Sequence, residues 1–238
     1  MISINSHTFI QTQASMTSSS FYKLPLYIFI TFIITACCNT PKDKDYPARP
    51  DFNNLLFAND RNKHFGELEY TPWWGKGPIT ITNGWDSSYL VKTHIPQLKG
   101  VIDYNNKKHS GYTRINKNIT LQYKMLWHAW EKKGLLPLVK SWGGGYSARK
   151  VTGSYFFLSN HAYGTAFDIN TLENGWGQQP ARRNETGSVY DLVPIAHEHG
   201  FYWGGHFCTL DGMHFEAAVV LNQQQLNQLA KKYDYDIQ

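Results

Sequence analysis

Two segments of the chain limit its possible folds most strongly, because each places a histidine close to an aspartate. The first segment, SNHAYGTAFDIN at 159–170, contains His161 and Asp168. A turn followed by an extended stretch between these two residues points both side chains at one place. The second segment, GFYWGGHFCTLDGMHFE at 200–216, contains His214. We therefore expect the fold to bring the two segments together around a shared site.

His161, Asp168 and His214 form a suitable ligand set for zinc. Zinc binds imidazole nitrogens and carboxylate oxygens, and catalytic zinc sites use three protein ligands while a fourth position is left for water. A lone buried histidine more often makes a hydrogen bond than binds a metal, so the prediction depends on all three residues meeting. The sequence therefore predicts one catalytic zinc ion.

Two further residues suggest hydrolytic chemistry at this site. Asp211 lies three residues before His214, near enough in the chain to lie beside a zinc-bound water without being a ligand. Zinc lowers the pKa of bound water to about 7, and a nearby carboxylate can accept the proton and deliver it to a departing amine. Asp-Gly is also a common turn dipeptide, which is the structural alternative for Asp211. Arg149 is the candidate guanidinium for an oxyanion.

These segments resemble the zinc D-alanyl-D-alanine carboxypeptidase family, which includes VanX-like and VanY-like enzymes and phage L-alanyl-D-glutamate endopeptidases. The resemblance is closest to the endopeptidase-like branch and covers residues 80–217. It rests on these segments: NGW at 83–85, IPQLKG at 95–100, SWGGGYSAR at 141–149, SNHAYGTAFDIN at 159–170, VPIAHEHGFYWGG at 193–205 and DGMHFE at 211–216.

The resemblance implies an α+β domain of the hedgehog and D,D-peptidase type, in which a small antiparallel sheet carries the metal site and helices pack on its other side. It implies His161, Asp168 and His214 as zinc ligands, Asp211 as the catalytic carboxylate and Arg149 as the substrate and oxyanion arginine. The expected reaction is hydrolysis of a peptidoglycan stem peptide at the D-Ala-D-Ala bond or the L-Ala-D-Glu bond. The alternative is a non-catalytic, zinc-containing lipoprotein that binds the cell wall.

The surroundings of the arginine depart from the family pattern. The endopeptidase-like branch often has proline before this arginine and a second arginine three residues after it, whereas this chain has Ala148 and Thr152 at those positions. Substrate anchoring is therefore expected to differ here. Ser159 matches a family serine, and two roles remain open for it: contact with substrate, or capping of a turn.

The beginning of the chain is typical of an exported lipoprotein. The apolar run LPLYIFITFIITA at 24–36 follows Lys23 and ends directly before Cys37. About 20 apolar residues are needed to cross a bilayer, so this shorter run indicates the hydrophobic part of a signal peptide. The tetrad at 34–37 resembles the lipobox of bacterial lipoproteins, in which the cysteine receives the lipid. Translation begins at Met1 or at Met16.

This interpretation divides the chain into three parts. Residues 1–36 are the expected lipoprotein signal peptide, and 37–50 are the lipidated N-terminus and a polar tether. Residues 51–238 form the expected zinc peptidase domain, since this length suits one core. We expect an exported monomer anchored by its lipid to a bacterial membrane and facing the periplasm or cell wall.

The composition suits a secreted domain with an aromatic-lined groove. Aromatic residues reach 15% and charged residues only 17%, and the formal charge of +5 is scattered along the chain. Nucleic acid is therefore not an expected partner. Large rings near the histidine segments could stack on sugar or peptide, although core packing is the default. These rings are Trp142, Tyr163, Trp176, Tyr202 and Trp203.

Hydrophobic periodicity predicts helices over 119–133, 189–199 and 222–233, with Gly134 and Gly200 ending the first two. The β-branched and aromatic residues at 79–85 and 89–95 predict short strands.

Overall fold

The computed structural model describes residues 46–54 and 58–237. Within these residues the helices are α1 (Ala58–Phe65), α2 (Trp85–Tyr89), α3 (Thr120–Lys132), α4 (Val193–Glu198) and α5 (Gln223–Tyr233). The strands are β1 (Tyr70–Thr71), β2 (Thr80–Ile81), β3 (Leu90–His94), β4 (Ile102–Asp103), β5 (Tyr112–Asn116), β6 (Ser141–Gly144), β7 (Ala166–Ile169), β8 (Phe201–Trp203) and β9 (His214–Ala217). Short 3₁₀ helices cover Pro96–Leu98, Lys117–Ile119, Leu136–Leu138, Asn160–Tyr163 and Gly204–His206. This mixture confirms the predicted α+β class.

A five-stranded sheet in the order β4-β6-β7-β9-β8 lies at the centre. Strands β4 and β6 pair in parallel, and the other neighbours pair antiparallel. In the β7–β9 ladder, Phe167 lies opposite Phe215 and Asp168 lies opposite His214. Because successive side chains of a strand point to opposite faces, the two phenyl rings share one face and the two polar groups share the other. The sheet thus separates the core from a polar cluster.

Helix α3 covers the apolar face of the central sheet. The rings of Tyr123, Trp127 and Trp130 lie 5.2, 5.7 and 6.0 Å from the ring of Phe167, measured between centroids. The Phe167 and Phe215 rings stack at 5.3 Å. All five rings are buried. Since truncating such a ring to alanine costs about 3–5 kcal/mol, this layer fixes the position of β7 and β9.

The opposite side of α3 packs on the C-terminal helix. Met125 forms a small cluster with Leu226 and Ala230 of α5. The side chain of Asn222 accepts a hydrogen bond from the backbone N–H of Gln225 at 3.0 Å and so caps α5. The predicted helices over 119–133 and 222–233 are therefore confirmed, and α3 lies between the sheet and α5.

The predicted helix over 189–199 begins later than expected, at Val193. Pro194 lies in its first turn. A proline ring clashes with the carbonyl of the residue four positions earlier in a helix, so α4 cannot continue far towards the N-terminus. The strand prediction over 89–95 is confirmed by β3, whereas 79–85 holds only β2 and the first residue of α2.

Most of the large rings near the histidine segments are part of the hydrophobic core. Trp142, Tyr163, Tyr202 and Trp203 are buried, whereas Trp176 is 48% exposed. The default of core packing therefore holds for four of these five rings.

The described residues belong to one compact unit, Thr40–Gln238, which contains its own core. Tyr46, in the segment expected to be a tether, contacts this body: its hydroxyl donates to the carbonyl of Pro180 at 2.9 Å, and its ring lies 6.3 Å from that of Trp203. The apolar run and Cys37 lie outside the described residues. Across the part that is described, none of the helices has the length and apolar character needed to cross a membrane.

A buried glutamine joins α3 to the segment before β8 and to the segment after β9. The Gln122 amide donates to the carbonyls of His199 and Val219 at 2.6 and 2.8 Å, and its oxygen accepts from the N–H of Leu221 at 3.0 Å. Gly200 lies in this junction with a φ of +73°. A Cβ on Gly200 would lie 2.6 Å from the Val219 carbonyl oxygen and 2.9 Å from the Gln122 amide nitrogen. The close approach therefore requires glycine here.

Replacing Gly200 with alanine is expected to destabilise the fold more than the same change at Gly134. Both glycines follow a helix with positive φ, but a Cβ on Gly134 meets open space. We expect a loss of about 1–2 kcal/mol for Gly134→Ala, because a Cβ at positive φ is strained, and about 1–3 kcal/mol more for Gly200→Ala from overpacking. Urea denaturation measures both values. Equal losses would show that the junction around Gln122 adjusts freely.

Candidate metal centre

A short 3₁₀ helix, Asn160–Tyr163, positions the first histidine. The Ser159 hydroxyl accepts a hydrogen bond from the His161 N–H at 3.2 Å, which caps the beginning of this turn. At its end, the Gly164 N–H donates to the carbonyl of His161 at 3.1 Å, with Gly164 in the left-handed region. The backbone of His161 is therefore held from both sides, and the structure assigns Ser159 a capping role.

The central sheet positions the other two candidate ligands. Asp168 on β7 and His214 on β9 are directly opposite each other in the antiparallel ladder. Directly opposite residues have Cβ atoms about 5 Å apart and share a face of the sheet. The register alone therefore brings the carboxylate and the imidazole together.

The three side chains converge in a buried cluster. The His161 Nε2 atom lies 3.2 Å from Asp168 Oδ2 and 3.1 Å from His214 Nδ1. The His214 Nδ1 atom lies 3.0 Å from Asp168 Oδ1. Donor atoms about 2 Å from a tetrahedral zinc ion are separated by about 3.3 Å, so these spacings match the edges of a zinc coordination shell. The cluster can hold one metal ion.

The outer nitrogen of each imidazole has a partner that determines its protonation. The His161 Nδ1 atom lies 2.6 Å from the carbonyl oxygen of Gly145, which can only accept, so Nδ1 donates. The His214 Nε2 atom lies 2.9 Å from a carboxylate oxygen of Glu216, so Nε2 donates there. In the neutral imidazoles the lone pairs are then on His161 Nε2 and His214 Nδ1, which both face Asp168.

Four acceptor atoms thus meet at one point, namely two imidazole nitrogens and the two oxygens of Asp168. Such a group is stable only with a cation or an added proton among its members. Burial lowers the pKa of His214, but hydrogen bonds to Asp168 and Glu216 outweigh burial and raise that pKa to about 10. Burial also disfavours the charge on Asp168, yet the two histidines hold the pKa of Asp168 below its usual range. The donor set therefore fits a divalent cation.

Asp211 lies beside this cluster. Its backbone N–H donates to the Gly204 carbonyl, and its own carbonyl accepts from the His214 N–H, both at 3.0 Å. Its Oδ1 atom is buried without a hydrogen-bond partner among the described residues. Burial raises the pKa of Asp211 to about 6, against the opposing charge of His214 and, more weakly, of Arg149. The carboxylate is therefore poised to exchange a proton near neutral pH.

Arg149 lies at the rim of the same site. It is half-buried, and its carbonyl accepts a hydrogen bond from the Ser159 N–H at 3.1 Å. Its guanidinium donates to the carbonyl of Lys150 at 3.3 Å, and its positive charge acts on Asp211. Arg149 and Asp211 therefore lie near enough to each other for their charges to interact.

Three supporting residues were not predicted: Glu216, Asn160 and Gly145. The Asn160 amide donates to the same Glu216 oxygen that accepts from His214, at 2.6 Å. Partners of this kind fix the orientation of metal-binding histidines. Glu216 could have been found from its position two residues after His214, because alternate residues of a strand share a face. Gly145 acts through its backbone carbonyl, which leaves no signal in the sequence.

His206, the other histidine of the second segment, is not part of the metal-ligand group found among the described residues. Its ring packs at 5.1 Å from Trp203 and at 5.3 Å from His197. Burial lowers the pKa of His206 to about 3 and that of His197 to about 4. These imidazoles are neutral parts of the packing around β8.

Comparison with known families agrees with this geometry. Residues 152–217 match the family model described as D-alanyl-D-alanine carboxypeptidase. The matched segment contains His161, Asp168, Asp211 and His214, whereas Arg149 lies just before it. The match supports a relationship to the zinc D-alanyl-D-alanine carboxypeptidase family, and with it a zinc peptidase that acts on peptidoglycan peptides. Among curated proteins and among solved structures, no match to the chain was found.

Zinc affinity is expected to rise with pH. Below the raised pKa of His214, the metal-free site holds a proton that zinc must displace. The apparent association constant therefore increases about tenfold per pH unit between about pH 7 and pH 9. Competition with a chelator of known protonation behaviour measures the slope.

His128→Ala is the control for this experiment, because the His128 imidazole contacts the Tyr233 carbonyl and not the cluster. This variant should keep both the affinity and the slope. A zinc affinity that does not change with pH would show that the metal-free site holds no displaceable proton.

Proposed function

We propose that this protein is a zinc peptidase that hydrolyses peptidoglycan stem peptides. The observation that carries the proposal is the convergence of four acceptor atoms from His161, Asp168 and His214 beside the unpartnered carboxylate oxygen of Asp211. A half-buried carboxylate with a pKa raised towards neutrality, next to a metal site, is typical of a catalytic group. The family match over 152–217 supports the substrate class.

Each residue has a role that follows from its contacts. His161 and His214 bind zinc through Nε2 and Nδ1, and Gly145 and Glu216 hold the two rings in place. Zinc, when bound, supplies Lewis acidity that activates water and polarises the scissile carbonyl group. The Asp211 carboxylate accepts the proton of the attacking water and then donates it to the amine nitrogen as the C–N bond breaks.

Arg149 stabilises negative charge in this mechanism. We assign its guanidinium to bind the oxygen of the scissile carbonyl as charge develops there, or a carboxylate of the substrate. Because it also lowers the pKa of Asp211, it favours the ionised base. The side chains of Ala148 and Thr152 do not provide a second guanidinium near it.

The proposal also covers the type of fold and the bond that is cleaved. We assign the hedgehog and D,D-peptidase type of fold on the basis of a polar sheet face that carries the site, with α3 on the opposite face. The cleaved bond is the terminal D-Ala-D-Ala bond or the internal L-Ala-D-Glu bond. We expect the loop at 171–188 to decide which bond is cleaved, because the Asn174 carbonyl accepts a hydrogen bond from the Met213 N–H next to His214.

Removing the Asp211 carboxylate is expected to abolish cleavage while zinc remains bound. Asp211→Asn preserves the size of the side chain, so we expect one zinc per chain and a loss of activity of about 10²–10⁴-fold, as is typical for a general base. Mass spectrometry of muropeptides incubated with zinc-loaded residues 39–238 measures the products. Loss of one D-Ala identifies a carboxypeptidase, and release of the stem after L-Ala identifies an endopeptidase.

His161→Ala is the control that should lose both zinc and cleavage. If Asp211→Asn cleaves as fast as the unaltered protein, Asp211 is not the base. If the unaltered protein forms no zinc-dependent product from any muropeptide, the peptidase proposal fails and the alternative of a wall-binding lipoprotein is favoured.

We also propose that lipid on Cys37 anchors the exported protein to a bacterial membrane. The support is the apolar run at 24–36 directly before this cysteine. In cells supplied with an alkyne-labelled fatty acid, Cys37→Ser should remove the label from the protein. The neighbouring Cys38→Ser is the matched control and should keep it. Labelling that persists in Cys37→Ser and disappears in Cys38→Ser would contradict the assignment.

A further inference from the structure

Five large aromatic side chains are exposed together on two neighbouring loops. Their exposed fractions are 71% for Trp73, 53% for Trp74, 42% for Tyr155, 53% for Phe156 and 57% for Phe157. The Trp74 ring lies 5.3 Å from Tyr155 and 4.8 Å from Phe156, between centroids. We call these five residues the aromatic platform. Contiguous exposed apolar surface of this kind marks a binding surface in a soluble domain.

A buried lysine ties the two loops of the aromatic platform together. Lys150 is 2% exposed, and its ammonium donates to the carbonyls of Trp73 and Tyr155, each at 2.8 Å. Burying an ammonium is costly unless it is well hydrogen-bonded. The two loops of the aromatic platform are therefore held next to each other by specific hydrogen bonds.

The turn that carries three of the rings is also fixed. The Ser154 hydroxyl accepts hydrogen bonds from the N–H groups of Phe156 and Phe157 at 3.1 and 2.8 Å. The Ser154 N–H donates to the carbonyl of Val151 at 2.9 Å. A turn whose backbone is held in place before binding loses little conformational entropy when a ligand stacks on the rings that it carries.

The aromatic platform begins at the rim of the metal centre. Both of its loops end on residues of the site: Pro78 bridges to Arg149, and the hairpin at 150–158 starts directly after Arg149 and ends directly before Ser159. A strand advances about 3.3 Å per residue, so the platform lies within about 20 Å of Arg149. A ligand that reaches Arg149 can extend over these rings.

The proposed substrate is a peptide attached to a glycan strand. One face of a pyranose ring carries C–H groups, which pack against the flat face of an aromatic ring. We propose that the aromatic platform binds the glycan strand that carries the stem peptide cleaved at the metal centre. This inference rests on the proposed peptidase function. A lipid bilayer at the same rings would lie within about 20 Å of Arg149 and hinder the approach of a polymeric substrate to the metal centre, so a glycan fits the position better.

Binding of peptide-free glycan strands tests the proposal independently of cleavage. Strands freed of peptide are titrated into zinc-loaded residues 39–238, which contain the compact unit and its core, and the dissociation constant is measured by calorimetry. Trp74→Ala combined with Phe156→Ala is expected to weaken binding about tenfold or more, because aromatic side chains that become covered by the ligand carry most of the affinity of such interfaces. Trp73→Ala, at the most exposed ring, is the second variant and should weaken binding in the same direction.

Tyr104→Ala is the matched control, because this ring is 73% exposed but lies outside the platform. It should bind glycan as the unaltered protein does. The proposal is overturned if the unaltered protein does not bind glycan strands, or if the platform variants bind them equally well. It is also overturned if those variants lose binding to vesicles of phosphatidylglycerol and phosphatidylcholine but not to glycan. A failure of the peptidase proposal would appear separately, as absence of muropeptide cleavage.

Discussion

The pairing of Asp168 with His214 across β7 and β9 is the interaction on which the rest of the site depends. It needs no loop geometry, since the antiparallel register sets these residues opposite each other. The same ladder stacks Phe167 on Phe215 on the other face. Every residue of both strands is buried. The alternating side chains therefore pack in the core on one face of the sheet and in the metal centre on the other. Packing of the core and assembly of the metal centre are therefore set by a single ladder.

Hydrogen bonds and charge determine how the side chains of the metal centre are oriented. The cluster gathers acceptors, and its outer shell consists of two further acceptors, the carbonyl of Gly145 and the carboxylate of Glu216, each of which accepts a hydrogen bond from the outer N–H of one imidazole. This outer shell orients the lone pairs of both histidines inwards, where a cation has to balance them. Asp211 differs from these groups, because its Oδ1 atom makes no hydrogen bond among the described residues. This oxygen is therefore available to accept a proton.

The sequence allowed the α+β class, the long helices and the convergence of His161, Asp168 and His214 to be predicted, because periodicity and motif spacing are local properties. It could not identify Gly145, whose contribution is a backbone carbonyl. The aromatic platform was also out of reach, since Trp73 and Tyr155 are joined only by tertiary contacts with Lys150. An aromatic-lined groove was expected, but four of the five rings considered for stacking belong to the core. The composition gives the number of aromatic residues, but it does not show which of them are exposed to solvent.

The double-sided burial of β7 restricts how this chain can vary in length. A slip of one residue in β7 would place the phenyl ring of Phe167 in the metal centre and the carboxylate of Asp168 in the core. An insertion or deletion between His161 and Asp168 would have the same effect, because Gly164 and the 3₁₀ helix leave no slack to absorb it. Length changes are tolerated instead in exposed turns such as the one at Gly100, where an added Cβ meets nothing within 4 Å. Related chains should therefore differ by substitution around the metal and by loop length in such turns.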